Sequence, residues 1–250
     1  MISDAMLERF SRQVLVPGFD LEGQQALACA RVAVVGCGGL GNLAALYLAA
    51  AGIGFIRLID DDVVEPSNLP RQIAFTESHL GMPKAEMLAS AMTARWSAVT
   101  VDAVVKRLTA ANIRQLLAEV DVVVDATDNR EARLLIDVAT AASRVPWIMG
   151  AALQMTGQNM LFDAEREYGC YHCLYPQSDT APRTCGELGV LGPVVGIIAL
   201  HQALDVIKLL TGCGSLPWGV LRLVDFREDE HQRVLLTPRP DCSLCGTGSP

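Results

Sequence analysis

From Arg31 onward, short β-branched runs alternate with longer stretches that carry apolar residues at helical spacing. RVAVV (31–35), FIRLID (55–60), VTVDAV (99–104) and DVVVDA (121–126) read as strands. LGNLAALYLAA, KAEMLASAMTARW and NREARLLIDVATAA read as helices between or after them. One uncharged stretch, Val32 to Ile56, is long enough to cross a bilayer. Gly36, Gly38, Gly39, Gly41, Gly52 and Gly54 divide it instead into strand, loop, helix, turn and strand.

Residues 1–28 look helical, with a turn near Val16-Pro17-Gly18. After Pro146 the texture changes. In WIMGAALQMTGQNMLFDAE, Gly150 and Gly157 bracket β-like pieces that continue the same sheet, and a Cys-rich loop follows. An apolar helix over roughly Val194 to Leu210 precedes GVLRLVDF and QRVLLT, which suit an antiparallel pair at a sheet edge. The expected fold is α/β: a Rossmann-like, mixed and mainly parallel sheet with helices on both faces and antiparallel strands at the C-terminal edge. It forms one domain over 1–250, with no linker or repeat.

Length and charge narrow the function classes. With 250 residues, half of them hydrophobic, the chain can bury a sizeable core. A net charge of -8 and no Lys/Arg-rich stripe argue against a nucleic-acid backbone as the main partner. The opening MISDAMLERFSRQ does not read as a signal peptide, so a cytoplasmic protein with no membrane partner is expected.

Gly36, Gly38 and Gly41 follow the first strand and precede a helix, where absent Cβ atoms let backbone N–H groups approach a phosphate. Asp60 ends the next strand, where an acid can accept hydrogen bonds from ribose hydroxyls. These features alone leave open a dinucleotide, another adenine nucleotide or plain tight packing. Cations downstream favour a more highly charged ligand. Arg71 in EPSNLPRQ can grip phosphate oxygens bidentately, and Lys84 in GMPKA supplies a point charge, although either alone also reads as a solvated surface charge. Asp128 in DATDN stands at the carboxyl edge of a strand and can hold Mg²⁺ with a triphosphate; Asp128 or Asn129 can equally cap the helix that follows. No G-x-x-x-x-G-K-[ST] P-loop is present.

Cys170-Tyr171-His172-Cys173 and Cys242-Ser243-Leu244-Cys245 form two C-x-x-C pairs far apart in sequence. The spacing fits a four-thiolate zinc site that pins the C-terminal tail, ahead of disulfides or a redox pair. His172 reads as a spectator. Cys29, Cys37 and Cys213 look like small residues in a core, the glycine loop and a Gly-flanked turn.

The ordered series RQVLVPGF, GCGGLG, DDDVVEPSNLPRQ, GMPKAE, DATDN, CYHC, TCGELGVLGPVVG and CSLC resembles the MoeB/ThiF/HesA family, relatives of the ubiquitin-activating enzymes. The resemblance covers nearly the whole chain. It implies an adenylyltransferase that uses ATP and Mg²⁺ to activate the C-terminal glycine carboxylate of a small ubiquitin-like sulfur-carrier protein ending in Gly-Gly. Pyrophosphate is released, and sulfur transfer in thiamine or molybdopterin biosynthesis follows. Residues 1–28 become a helical arm, 29–150 a nucleotide-binding half and 151–250 a carrier-binding half holding Zn²⁺.

Carried over by residue, the resemblance places Gly39 against the nucleotide with Gly36, Gly38 and Gly41. Asp60 takes the ribose, and Ser67, Asn68, Leu69, Pro70 and Arg71 surround the phosphates with Lys84. Asp128 binds Mg²⁺ beside Asn129. Arg12 matches an arginine that reaches the neighbouring protomer's triphosphate, which implies a homodimer; without the resemblance it is a surface helix residue. Cys185 matches a cysteine that forms covalent intermediates with the carrier, with Arg183 able to lower its pKa; without the resemblance it is an inert loop thiol. The chain stops soon after the second C-x-x-C, so no rhodanese-like domain is expected. The sulfur donor is then a separate protein, a cysteine desulfurase or a rhodanese-like partner.

Cys37, Pro70 and Ala126 depart from the usual family pattern without removing a charged group. Asp60-Asp61-Asp62, RQIAFT and RLTA lean towards the thiamine branch, while GAALQMTGQ leans towards the molybdopterin branch. An NAD-dependent oxidoreductase would explain the glycines and Asp60 but leave SNLPRQ, Lys84 and Asp128 without a role. A non-catalytic carrier-binding scaffold is the other alternative.

Overall fold

The structure is a computed structural model that describes residues 4–176 and 188–246. Its centre is one eight-stranded sheet in the order β3-β2-β1-β4-β5-β6-β7-β8. The strands are β1 (Arg31–Val35), β2 (Phe55–Ile59), β3 (Thr100–Val104), β4 (Val122–Asp125), β5 (Trp147–Leu153), β6 (Thr156–Phe162), β7 (Val220–Asp225) and β8 (Glu230–Leu235). The five strands β1 to β5 run parallel to one another, and β6, β7 and β8 continue the sheet in antiparallel pairs from β5.

Helices α1 (Asp4–Val14) and α2 (Asp20–Cys29) form the N-terminal arm, and α3 (Gly39–Ala51), α4 (Lys84–Thr93), α5 (Ile113–Leu116) and α6 (Arg130–Ser143) cross between strands. A one-turn helix α7 (Tyr171–Leu174) and the long α8 (Gly192–Thr211) complete the set among the described residues. The two-sided hydrophobicity of β1 explains the layering. Val32 and Val34 join the cluster formed with α3, α4 and α8, whereas Ala33 and Val35 join the cluster beneath α5 and α6.

Two readings of the sequence change. Gly150 and Gly157 do not bracket strands but lie inside β5 and β6. A Cβ on Gly150 would lie 2.4 Å from Gln202 Cδ, and one on Gly157 2.4 Å from Ile198 Cγ1, so these glycines let α8 settle onto the sheet. Cys29 is exposed rather than part of a core. Helix α8 is long and apolar enough to cross a membrane by length and composition, yet it packs Val194, Val195, Ile198, Ala199, Ala203 and Val206 into the core.

Candidate functional site

The sheet reverses direction of travel between β1 and β4, the place where an open α/β sheet leaves a crevice at its carboxyl edge. A cavity of about 1020 Å³ lies there. It is walled by the β1–α3 glycine loop, the ends of β2, β3 and β4, the start of α6 and the near face of β6 and β7.

The glycines have separate duties. Gly36 has φ +91°, and a Cβ there would meet Ala126 O at 2.8 Å. A Cβ on Gly41 would stand 1.8 Å from Gly36 O, so Gly41 closes the loop rather than facing a ligand. Gly36, Gly38 and Gly39 line the cavity. At Gly39 a side chain would strike Val195 Cγ1 of α8 at 2.6 Å.

Asp60 joins the loop to the next strand. Its Oδ2 accepts from Cys37 N at 2.6 Å and its Oδ1 from Asp62 N at 2.8 Å. Burial raises its pKa, against the opposing pull of those two hydrogen bonds and of Lys84. Burial also pushes the Cys37 thiol well above its ordinary value, which leaves it unreactive. Lys84 is buried and donates from Nζ to Asp62 Oδ2 at 2.9 Å. Arg71 donates to Ser67 O at 2.8 Å, and Asn68 Oδ1 accepts from Glu65 N at 3.1 Å within a 3-10 turn at Pro66–Asn68.

At the opposite wall Asn129 caps α6, its side chain accepting from Ala132 N at 2.9 Å. Asp128 lines the cavity, exposed, with no hydrogen bond or ion pair among the described residues. Beneath it, fully buried Asp125 pairs with Arg133 at 3.2 Å. Burial raises the Asp125 carboxyl. Burial also works against the Arg133 cation, but Asp125 and the neighbouring tyrosines leave its pKa raised.

Gly36, Gly38, Gly39, Asp60, Asn68, Arg71, Lys84, Asp128 and Asn129 therefore share one cavity. Ser67, Leu69 and Pro70 do not line it. Ser67 supplies a carbonyl to Arg71, Leu69 packs on the core, and Pro70 O lies 2.7 Å from where a Cβ on Gly192 would sit. Arg12 sits exposed on α1, away from the cavity of its own chain. Cys185 and Arg183 lie outside the described residues. Sequence reasoning missed Gln72, Lys106, Arg107 and Arg133 on the cavity wall. Lys106 and Arg107 follow β3 at the same carboxyl edge, a signal the strand reading already contained.

Cys170, Cys173, Cys242 and Cys245 gather in one cluster, apart from the cavity lining. Their Sγ atoms lie 3.8 Å (170 to 173), 3.5 Å (170 to 242), 3.4 Å (173 to 245) and 3.3 Å (170 to 245) apart. Thiolates about 2.3 Å from a tetrahedral zinc would be spaced by about 3.8 Å, so a small expansion accommodates the ion. His172 points elsewhere, its Nδ1 2.8 Å from Asp137 Oδ2.

A model of the ThiF family matches residues 10–244. The chain is 40% identical over 245 residues to the sulfur carrier protein ThiS adenylyltransferase of Escherichia coli K12, covering 98% of this chain and 97% of the relative. It is 37% identical to the molybdopterin-synthase adenylyltransferase of the same organism, at 98% of each chain. The Arabidopsis thaliana adenylyltransferase and sulfurtransferase MOCS3 is 39% identical, with 99% of this chain matching 54% of that longer protein. Among solved structures, E. coli MccB with MccA-N7isoASN shares the fold, with a TM-score of 0.85 at 24% identity over 95% of this chain and 75% of that one.

Proposed function

The chain belongs to the ThiF family, and from that premise we propose that it adenylates the C-terminal glycine carboxylate of a small ubiquitin-like sulfur carrier of the ThiS or MoaD type. The observation that carries this reading is the gathering of Arg71, Lys84 and the exposed Asp128 in one cavity with the glycine loop and Asp60. Such a donor set suits a magnesium triphosphate better than a dinucleotide.

The reaction asks for charge management rather than proton transfer. A carrier carboxylate oxygen attacks the α-phosphorus of ATP, a carboxyl–phosphate anhydride forms, the bond to the β-phosphate breaks, and pyrophosphate departs with the electron pair. The carboxylate is already an anion, so no general base is needed. Gly38 and Gly39 leave the start of α3 open to phosphate oxygens. Lys84 exchanges its hold on Asp62 for phosphate oxygen, and Arg71 braces the same anion. Asp128 holds Mg²⁺, which neutralises phosphate charge when bound. Cys170, Cys173, Cys242 and Cys245 hold Zn²⁺, a structural ion that ties the tail to α7.

Arg12 is exposed on α1 and serves the triphosphate of a second copy, which makes the working unit a homodimer. The carrier ends in Gly-Gly, and a cysteine desulfurase or rhodanese-like protein supplies the sulfur for thiamine or molybdopterin synthesis. Cys185 forms the covalent intermediate with the carrier. A cytoplasmic location belongs to this reading, because thiolates that hold zinc stay reduced there.

Carrier-dependent ATP–pyrophosphate exchange tests the reading. Arg71→Ala and Asp128→Ala should each cost about 100-fold to 1000-fold in exchange with an unchanged circular dichroism spectrum. Near-normal exchange in both variants, or NADH binding without any exchange, would overturn it.

A further inference from the structure

We infer that Arg133 is a positioning residue for Asp128, holding the peptide that presents this carboxylate to the cavity; the inference rests on the reading of Asp128 as the Mg²⁺ ligand. The ladder between β4 and β5 ends at Asp125↔Met149. At that end and just past it, side chains from the two faces of the sheet bind backbone carbonyls. Gln202 of α8 donates from Nε2 to Asp125 O at 2.7 Å and to Ile148 O at 3.1 Å. Arg133 of α6 donates from Nη2 to Thr127 O at 2.6 Å and to Gly150 O at 3.2 Å.

Thr127 O belongs to the peptide whose nitrogen is that of Asp128, so Arg133 grips the residue immediately before the carboxylate. Asp125 fixes both partners of that grip. Its Oδ1 accepts from Thr127 N at 3.0 Å and Thr127 Oγ1 at 2.6 Å, and its Oδ2 accepts from Arg133 Nε. On the other side, the Asn129 cap fixes the chain as it enters α6. Asp128 thus has a backbone restrained from both directions and side-chain oxygens that no described residue uses. A metal ligand needs that combination, because a partner that orients it costs no affinity while a partner that occupies it does.

The fork of the guanidinium is the essential property. One side chain reaches a carboxylate on one strand, the loop carbonyl and a carbonyl on the neighbouring strand at once, which the single ammonium of lysine cannot do. A role limited to stability would predict only a less stable protein. A positioning role predicts a change in how the protein uses magnesium.

The test is calorimetric binding of ATP to the full zinc-loaded chain, with Mg²⁺ and with EDTA, beside a thermal melt. For Arg133→Lys, the gain in ATP affinity that Mg²⁺ brings should fall about tenfold to 100-fold, the usual consequence of removing a support behind a metal ligand. Binding in EDTA should stay within about twofold. Asp128→Asn should lose the same gain, and the double variant should lose no more than Asp128→Asn alone. Should Arg133→Lys fail to fold, Asp125→Asn keeps the side-chain shape and should show a smaller shift of the same sign. A folded Arg133→Lys with the wild-type magnesium gain, equal weakening with and without Mg²⁺, or additive losses in the double variant would each overturn the inference. A wild-type protein that binds ATP without any gain from Mg²⁺ would instead overturn the Asp128 reading, and this inference with it.

Discussion

Glycines in the same loop answer to different constraints, and substitution separates them. Gly41→Ala forces a Cβ to within 1.8 Å of Gly36 O, a backbone atom that cannot swing aside. It should cost about 3 kcal/mol or more of stability, read from the urea midpoint. Gly38→Ala meets only Gln72 Nε2 at 3.8 Å, so it should fold normally and raise the KM for ATP alone. Equal loss of stability in the two variants would refute this division. The loop was legible in the sequence because strand, glycines and helix are consecutive there, and Asp60 is one strand away. Arg133 was not legible. Its partners Asp125, Thr127 and Gly150 come together only when β4 and β5 pair, and its place on α6 looks like any other charge on a helix.

Single elements show how charge is placed at joints of the sheet. Asp137 in the middle of α6 is fully buried, pairs with buried Arg166 at 3.3 Å and receives His172 N and Nδ1. Arg166 also donates to Thr140 Oγ1 at 2.6 Å, so one helix stripe holds α7 and its cysteines in place. Asp137→Ala leaves a buried guanidinium without its counter-charge and should cost about 3–5 kcal/mol, measured by denaturant unfolding. Replacing Asp137 and Arg166 together by apolar residues of similar volume should recover much of that loss. On α8, burial and the nearby Arg222 and His231 lower the pKa of His201, against the pull of Asp205. The unfolded chain, with an ordinary histidine pKa of 6.5, then binds protons that the folded one refuses. Stability from this site is present above pH 6.5 and is lost as pH falls towards the depressed folded value. His201→Gln should therefore narrow the gap between urea midpoints at pH 7.5 and pH 5.5. The parallel strands and their helices were readable from period alone. The one-turn helices α5 and α7 were not, because four residues are too few to display a helical period, and Gly150 and Gly157 carried a packing signal that reads as a turn.

At the scale of the whole molecule, the cysteine cluster joins residues 170–173 to 242–245 across the strands β7 and β8 that lie between them in the chain. If the cluster holds the proposed zinc, a strong chelator should free the tail beyond Leu235, while ATP binding in the cavity largely persists. Limited proteolysis should then cut after β8 at a rate that wild-type holoprotein does not show. Loss of the entire fold on chelation would mean that the ion supports far more than the tail. The helix α8 carries a wider consequence. It packs on α3, α2, β4, β5 and β6, all of which leave the ribosome before it does. The bed for this strongly apolar helix can therefore form while α8 is still being translated. A fragment ending at residue 176 would present that bed uncovered, to chaperones or to other copies of itself. The parallel strand β4 and the antiparallel pair β5 and β6 share one keel, so neither part of the sheet could be exchanged between relatives as an independent cassette.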